Sequence, residues 1–556
     1  MVVKIKLDLE KIILLVFFTV MLYLGPGVLF DHNISHDFPF AYGASDTFQH
    51  QTRADAIKDI GNKFDAPHIV KGNDDFILIY PPVMYQLAII LSYTSGLEVY
   101  DAIYFVITFL PVIAALVMYF VIRSFNKTVA ILSLPLSLLI FSSPVSTGFL
   151  WGHWPSVIAQ SLLILVFWSV LRINLKYSFI LIAIALSGTA LAHTSSTIFA
   201  FIFLALLFGL KLILRKLTKE EFKSMFLAVI TFSIISFYYL IIFINTWAVK
   251  QPYEFSILPL WEGSPGFYIG GFGLLLVPMV IGIIFSIVKI KTLHVAIIAS
   301  IALLIGGFMN YVGFHLRSFQ MRFFWPIYLS VLVGLGIYVV LKLVIKKWNI
   351  IHTSVLFIIF LVLVSGVVNL PIIKQTNVQT IPSIPHLNRG TSPGLMNPFH
   401  WEALTWFNEN TPKNATVYFF YGDIYGQDAI LRNTKRVHQQ IVPGNFVEAL
   451  QERKIKKEYL SEVPGDSAGS FYRRVSFFHF AKPEKIPGQY YGSRNICIFD
   501  YHVFDKVSRQ EVLAQYNLLI ASEMLKKDAE VVFENEVVVV LKNNNVGDDC
   551  IEEGSF

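Results

Sequence analysis

The chain has 556 residues, 55% hydrophobic and 15% charged, with 49 Phe and a mean hydropathy of +0.60. Soluble domains carry nearer a quarter charged residues, so a membrane protein is expected over about two thirds of the length. The net charge of +6 does not point to nucleic acid, because Lys and Arg sit in short loops between apolar runs.

The first element follows Lys4, Lys6 and Lys11. It is the apolar run Ile12–Phe30, about 19 residues, long enough to span and lacking a small-residue cleavage site, so it reads as a retained helix. A first outer loop, 31–100, comes next, and its stretch His32–Pro82 is polar and rich in His and Asp. A loop of this length is functional or disordered. Aromatics, Ile and Pro interrupt its charges, and Thr47–Gly61 has helical spacing, with Asp46, His50, Arg53 and Ile57 near one face.

Further apolar spans are expected near 101–122, 128–148, 156–174, 178–193, 196–214, 224–247, 266–288, 293–313, 323–341 and 350–370, which with the first makes about eleven. One more candidate, Ile77–Ser95, contains Pro81 and Pro82. If it lies along the surface, the basic clusters at Arg123/Lys127, Arg172/Lys176, Arg215–Lys223, Lys289/Lys291 and Lys342–Lys347 all fall on the side of the N-terminus. If it crosses, all of them move to the other side. The positive-inside rule selects the first arrangement, with the N-terminus in the cytoplasm and the long loop and tail outside. The other outer connections are then Thr147–Ser156, Leu191–Ser196, Ala248–Gly266 and Phe314–Phe324. The spans carry almost no Asp, Glu, Lys or Arg, which argues against an ion-coupled transporter.

Hydrophobic density falls after Leu370. A Pro-marked linker, 371–399, leads to a soluble domain, 400–556, with a helix at His400–Asn410 and a strand at Thr416–Tyr421. A second helix is expected at Ser508–Lys527, then a strand at Val531–Lys542 with a turn-like Glu-Asn-Glu inside it. The alternation predicts an extracytoplasmic α/β or α+β domain. Cys497 and Cys550 allow a disulfide if this domain faces an oxidising space, and two unpaired thiols are the plainer reading; the sequence leaves the choice open. Asn33-Ile34-Ser35 and Asn414-Ala415-Thr416 are sequons, a triplet common by chance.

Five features together resemble the GT-C superfamily of membrane glycosyltransferases, which includes oligosaccharyltransferase catalytic subunits and polyprenyl-phosphate-sugar-dependent mannosyltransferases. They are the acid in Asp46–Ala54 (DTFQHQTRA), the step Tyr80-Pro81-Pro82, and the second outer loop GFLWGHWPSVIA. MRFFWP before a late span and a tail opening WEALTWFNENTPKNATV complete the pattern.

The resemblance implies an enzyme that moves a sugar from a polyprenyl phosphate or pyrophosphate to a protein or glycan acceptor outside the membrane. It places Asp46 at the reacting centre, as general base or ligand of a divalent Mg or Mn ion. Arg322 and Arg317 suit the donor phosphate, because a planar guanidinium binds it bidentately. His50, His153, His193 and Tyr80 would line the cavity. The bland alternatives are a solvated loop acid for Asp46, headgroup anchors for the arginines and a membrane belt around His153.

Two departures stand out: the second loop has His153 and no acid, and the tail lacks Trp-Trp-Asp. Both argue against asparagine as the acceptor and favour a single-carboxylate mechanism over a tightly held metal. A zinc site from His32, His36, His50 and His68 has no compact spacing. The competing function class is a lipid-glycan flippase or a lipid-presenting membrane subunit.

Overall fold

The computed structural model describes residues 8–61, 80–142, 148–243, 272–289, 294–308, 324–345, 349–365, 394–420, 422–425, 428–440, 452, 454–455, 470–473, 484–487, 496–547, 550–552 and 554–555. Helix α1 (Leu9–Phe30) is capped by the Asp8 side chain. Then come α2 (Ser45–Ile60), α3 (Val83–Ser95), α4 (Val99–Arg123) and α5 (Lys127–Ser133). The helical body continues with α6 (Trp154–Val170), α7 (Ser178–Ala192), α8 (Thr194–Ile213) and α9 (Lys219–Ile235). It ends with α10 (Leu276–Val288), α11 (Val295–Gly306), α12 (Ser330–Val344) and α13 (Ile350–Ser365).

Among the described residues three helices, Val99–Arg123, Thr194–Ile213 and Trp325–Val344, are long and apolar enough to cross a membrane by length and composition, and shorter apolar helices of 10–17 residues surround them. Ile213, Ile234 and Leu343 are more than two thirds exposed; apolar side chains this open to the outside are what a lipid-facing surface presents. Within the expected span 128–148 the described part, Lys127–Phe141, is helical but changes type. After α5 the chain tightens into a 3₁₀ helix, Leu134–Phe141, opened by Pro135, and all eight of its residues are buried.

The two ends of the body are distinguishable by their contacts. At one, the buried Glu10 carboxylate accepts from the Tyr119 hydroxyl at 2.5 Å, Lys127 Nζ at 2.6 Å and the Arg123 guanidinium. The Ser124 hydroxyl lies 3.3 Å from His294 Nε2 at this same end. At the other, His36 in the first loop meets Asp101 at the start of α4, with Nδ1 to Oδ1 at 2.8 Å and its amide donating to Oδ2 at 2.9 Å. The hydrogen bond to Asp101 raises the His36 pKa. Helix α3 stays at this second end. Tyr85 near its start bonds His50 of α2, and Ser92 near its finish accepts from Lys58 Nζ at 3.0 Å. At thirteen residues it is also about 20 Å long, short of a bilayer core.

The tail begins with α14 (Pro398–Asn410), N-capped by Asn397. Its sheet comprises β1 (Thr416–Phe419), β2 (Val437–Gln440), β3 (Tyr501–Asp505), β4 (Ala529–Glu534) and β5 (Val538–Asn543), in spatial order β2-β1-β3-β5-β4. Strands β1, β2 and β3 run parallel, and β5 and β4 antiparallel, so the sheet is mixed. The expected strand Val531–Lys542 is therefore the β4–β5 hairpin, turning where Glu-Asn-Glu stands.

Alternation sorts the two sheet faces. Val417, Phe419 and Val503 join the large core that includes Leu404 and Phe407 of α14. Tyr418, Phe420 and Phe504 face a second core under α15 (Glu511–Leu525), with Leu513, Ile520 and Met524. One buried knot ties the layers. Asn397 Nδ2 donates to His400 Nδ1 at 2.7 Å, leaving His400 Nε2 to donate to Asp505 Oδ1 at 2.6 Å.

Cys497 and Cys550 form a disulfide, and no described cysteine is free.

Candidate functional site

The site is built on α2. Ala44 is extended at its N-cap, so the helix starts with Ser45 and puts the exposed Asp46 in its first turn. A carboxylate there is favoured by the unpaired backbone N–H groups and the positive end of the helix dipole.

Two contacts press the loop that precedes α6 onto this turn. Gly43 N donates to Leu150 O at 3.1 Å. Gly152, at φ +82°, lies so close that a Cβ there would sit 2.8 Å from Thr47 N and 3.0 Å from Asp46 Cβ. Both the conformation and the space call for glycine. Gly152→Ala is therefore expected to displace the first turn of α2 and to cost about 1–3 kcal/mol, measurable as a lower melting temperature together with reduced activity.

Tyr42, fully buried, anchors the approach to α2. Its ring meets Phe48 at 5.1 Å, Tyr104 at 4.9 Å and Trp154 at 5.1 Å, and its carbonyl accepts from Leu395 N at 2.7 Å. The end of the linker is thereby pinned beside the first loop.

Behind Asp46 the helix turns inward. His50 is 6% exposed, and its Nδ1 lies 3.0 Å from the Tyr85 hydroxyl. Its ring is 5.8 Å from Tyr80 and 5.9 Å from Trp154. Burial holds its pKa well below the usual imidazole range, helped by the charge of Arg53 and by His153 and His193 nearby, with a hydrogen bond to the Gly152 backbone opposing. The imidazole is neutral at neutral pH. Arg53, 1% exposed, stacks over Tyr80 at 4.1 Å, a cation–π arrangement.

His153 is half-buried at the N-cap of α6, where Pro155 opens the helix. His193, also half-buried, joins α7 to α8 and has Nδ1 3.2 Å from the Ser196 hydroxyl. The neighbouring Thr194 hydroxyl lies 3.1 Å from that of Tyr239. The structure thus brings His50, His153, His193 and Tyr80 into one polar neighbourhood beneath Asp46. Arg317 and Arg322 lie outside the described residues.

The sequence reading missed Tyr85, Trp154 as a ring partner of His50, and Tyr239. Tyr85 could have been found by its place on the helix that Pro81 and Pro82 initiate; the other two carry no local signal.

Among the described residues no three His, Cys, Asp or Glu side chains converge as metal ligands. Asp46 and the imidazoles near it are not by themselves the oxygen-rich set that Mg or Mn prefers. The zinc alternative also finds its members apart. His36 is committed to Asp101, His32 stacks on Tyr23 at 4.8 Å, and His68 lies outside the described residues.

No protein family and no curated protein matches the chain. Solved structures do. The Archaeoglobus fulgidus oligosaccharyltransferase, tethered to an acceptor peptide containing the NVT sequon, is 14% identical over 92% of this chain and 72% of that one, at a TM-score of 0.51. Its apo form aligns with 77% of this chain at 14% identity and a TM-score of 0.49; there the chain spans 64% of that protein's length. ArnT from Cupriavidus metallidurans bound to undecaprenyl phosphate is 13% identical over 98% of this chain and 100% of that one, at a TM-score of 0.48. At such identities the likeness speaks of architecture: the chain shares the fold of the Archaeoglobus fulgidus oligosaccharyltransferase.

Proposed function

We propose that the protein is a multi-pass membrane glycosyltransferase. It takes a sugar from a polyprenyl phosphate or pyrophosphate and moves it to a protein or glycan acceptor outside the cytoplasmic membrane. The observation that carries this reading is the placement of Asp46. Its carboxylate is exposed on a helical turn against which Gly152 packs, near three histidines and Tyr80, at the end of the helical body that also bears the tail domain.

Asp46 acts as general base. It takes the proton of the acceptor nucleophile as that nucleophile bonds to the anomeric carbon and the bond from that carbon to the phosphate oxygen breaks. The leaving polyprenyl phosphate keeps the electron pair, and Arg322 and Arg317 offset its charge. His50, held neutral by burial, and His153 and His193 beside it offer hydrogen bonds to sugar hydroxyls. The C-terminal domain recognises the acceptor. The buried disulfide supports an oxidising, extracytoplasmic setting for that domain. The surface position of α3 supports the arrangement in which all basic loops share the side of the N-terminus.

The test is donor consumption. Purified protein is given a labelled polyprenyl-phosphate sugar and source membranes as acceptor. Release of free polyprenyl phosphate, with label entering acceptor, is expected. A donor that is flipped across proteoliposomes yet never cleaved would replace this reading with that of a lipid-glycan flippase.

A further inference from the structure

We infer that the C-terminal domain positions the acid-bearing helix from behind, through Asn433 and Lys435, and that this contact governs turnover and not donor binding. The inference rests on Asp46 being the reacting acid.

Helix α2 has two faces. At 100° per residue, positions 46, 50 and 53 lie on one side and 51, 55 and 59 on the opposite side. The front side carries the site. The rear side carries Gln51, Asp55 and Asp59, and each of these faces the tail. Gln51, 1% exposed, donates through Nε2 to Asn433 Oδ1 at 2.8 Å and also to the Asp55 carboxylate. Lys435 Nζ reaches Asp59 Oδ2 at 2.6 Å. Burial pushes the Asp55 carboxyl up to about 6, opposed by the charge of Lys435 and the bond from Gln51.

The tail side is rigid. Asn433 Nδ2 donates to Ile430 O at 2.9 Å, and the Asn433 carbonyl accepts from Asn408 of α14 at 3.4 Å. Lys435 closes the 3₁₀ turn Arg432–Thr434 at φ 51°, and its amide bonds Arg432 O at 3.0 Å. Two residues later the chain enters β2, paired with β1 from Val437 opposite Thr416. The sheet therefore presents a fixed knuckle to α2. The buried Gln51–Asn433 pair is the stronger part, since an orphaned buried amide is costly, while the half-exposed Asp59–Lys435 pair sets orientation.

Such a clamp fixes the angle at which Asp46 meets an acceptor held by the same domain. Small misplacement of a reacting group costs rate far more than affinity.

The test combines a double-mutant cycle with hydrogen exchange on the full chain. Asn433→Ala and Gln51→Ala should each lower kcat about tenfold with donor KM within about twofold, and the double variant should be no worse than either. Amides of 45–60 should exchange faster in Asn433→Ala while β1, β3 and β5 keep their protection. Should Asn433→Ala lose the sheet, the charge pair decides: Lys435→Glu should lower kcat, and adding Asp59→Lys should restore it. Additive losses in the cycle, unchanged exchange in 45–60, or no rescue by the swapped pair would overturn the inference. If exchange in 45–60 rises but the wild type cleaves no donor, the clamp stands and the glycosyltransferase reading falls.

Discussion

Asp46→Asn should lower sugar transfer by about 10²–10⁴-fold while the donor lipid still binds, the scale on which a positioned general base contributes. The substitution keeps size and hydrogen-bonding shape but removes basicity and charge. Its structural cost is small, because Asp46 is exposed in the first turn of α2 and Asn is also accepted near helix starts. The other loop acids are internal controls. Asp55 lies behind the helix against Gln51, Asp59 pairs with Lys435, and Asp37 is an exposed loop residue. Asp37→Asn should change little, and any defect in Asp59→Asn should be milder than that of Asp46→Asn. The measurement is single-turnover transfer with labelled donor, with donor binding measured separately on each variant. Full activity in Asp46→Asn would remove this residue from the reacting centre and return the search to Asp37.

Much of this arrangement is readable along the chain, where short-range chemistry decides it. The helical spacing at Thr47–Gly61 becomes α2, and Pro81-Pro82 starts α3. The tail helices and the hairpin appear within a few residues of where pattern and turn chemistry put them. What the pattern does not reveal, it misses for physical reasons. The run 128–148 is buried all round at Leu134–Phe141, so no hydrophobic periodicity remains to separate a 3₁₀ helix from an α-helix. The expected span 224–247 is interrupted at Ser236, a polar residue too small to signal a break. Long-range meetings leave still less trace. Gln51 and Asn433 are 382 positions apart, and neither carries a motif. The tight fit of Gly152 onto Asp46 needs a positive φ and a missing Cβ, which a Gly between Trp151 and His153 permits but does not announce.

The pairing of Cys497 with Cys550 is of this second kind: spacing alone left it open, and the folded tail closes it. Removing the bridge with Cys497→Ala and Cys550→Ala should destabilise the C-terminal domain by about 2–5 kcal/mol, and chain entropy for a separation of 53 residues gives roughly 4 kcal/mol. For a domain of this size that is a fall of about 10 °C in melting temperature. Both cysteines are buried, in the 3₁₀ turn before β3 and just beyond β5. The Cys497 carbonyl also accepts from Asn543 Nδ2 at 2.9 Å and from Gly547 N at 3.0 Å. Those bonds survive the substitution, so the domain should loosen without losing its topology. Wild-type protein in reductant should melt with the double variant. The cysteine-free double variant also reports sidedness. With Gln515→Cys added on the exposed face of α15, a membrane-impermeant thiol reagent applied to intact cells should label it. Equal melting temperatures would show that the thiols are unpaired in the protein. Labelling only after cell lysis would put the tail, and Asp46 with it through Gln51 and Asn433, on the cytoplasmic side.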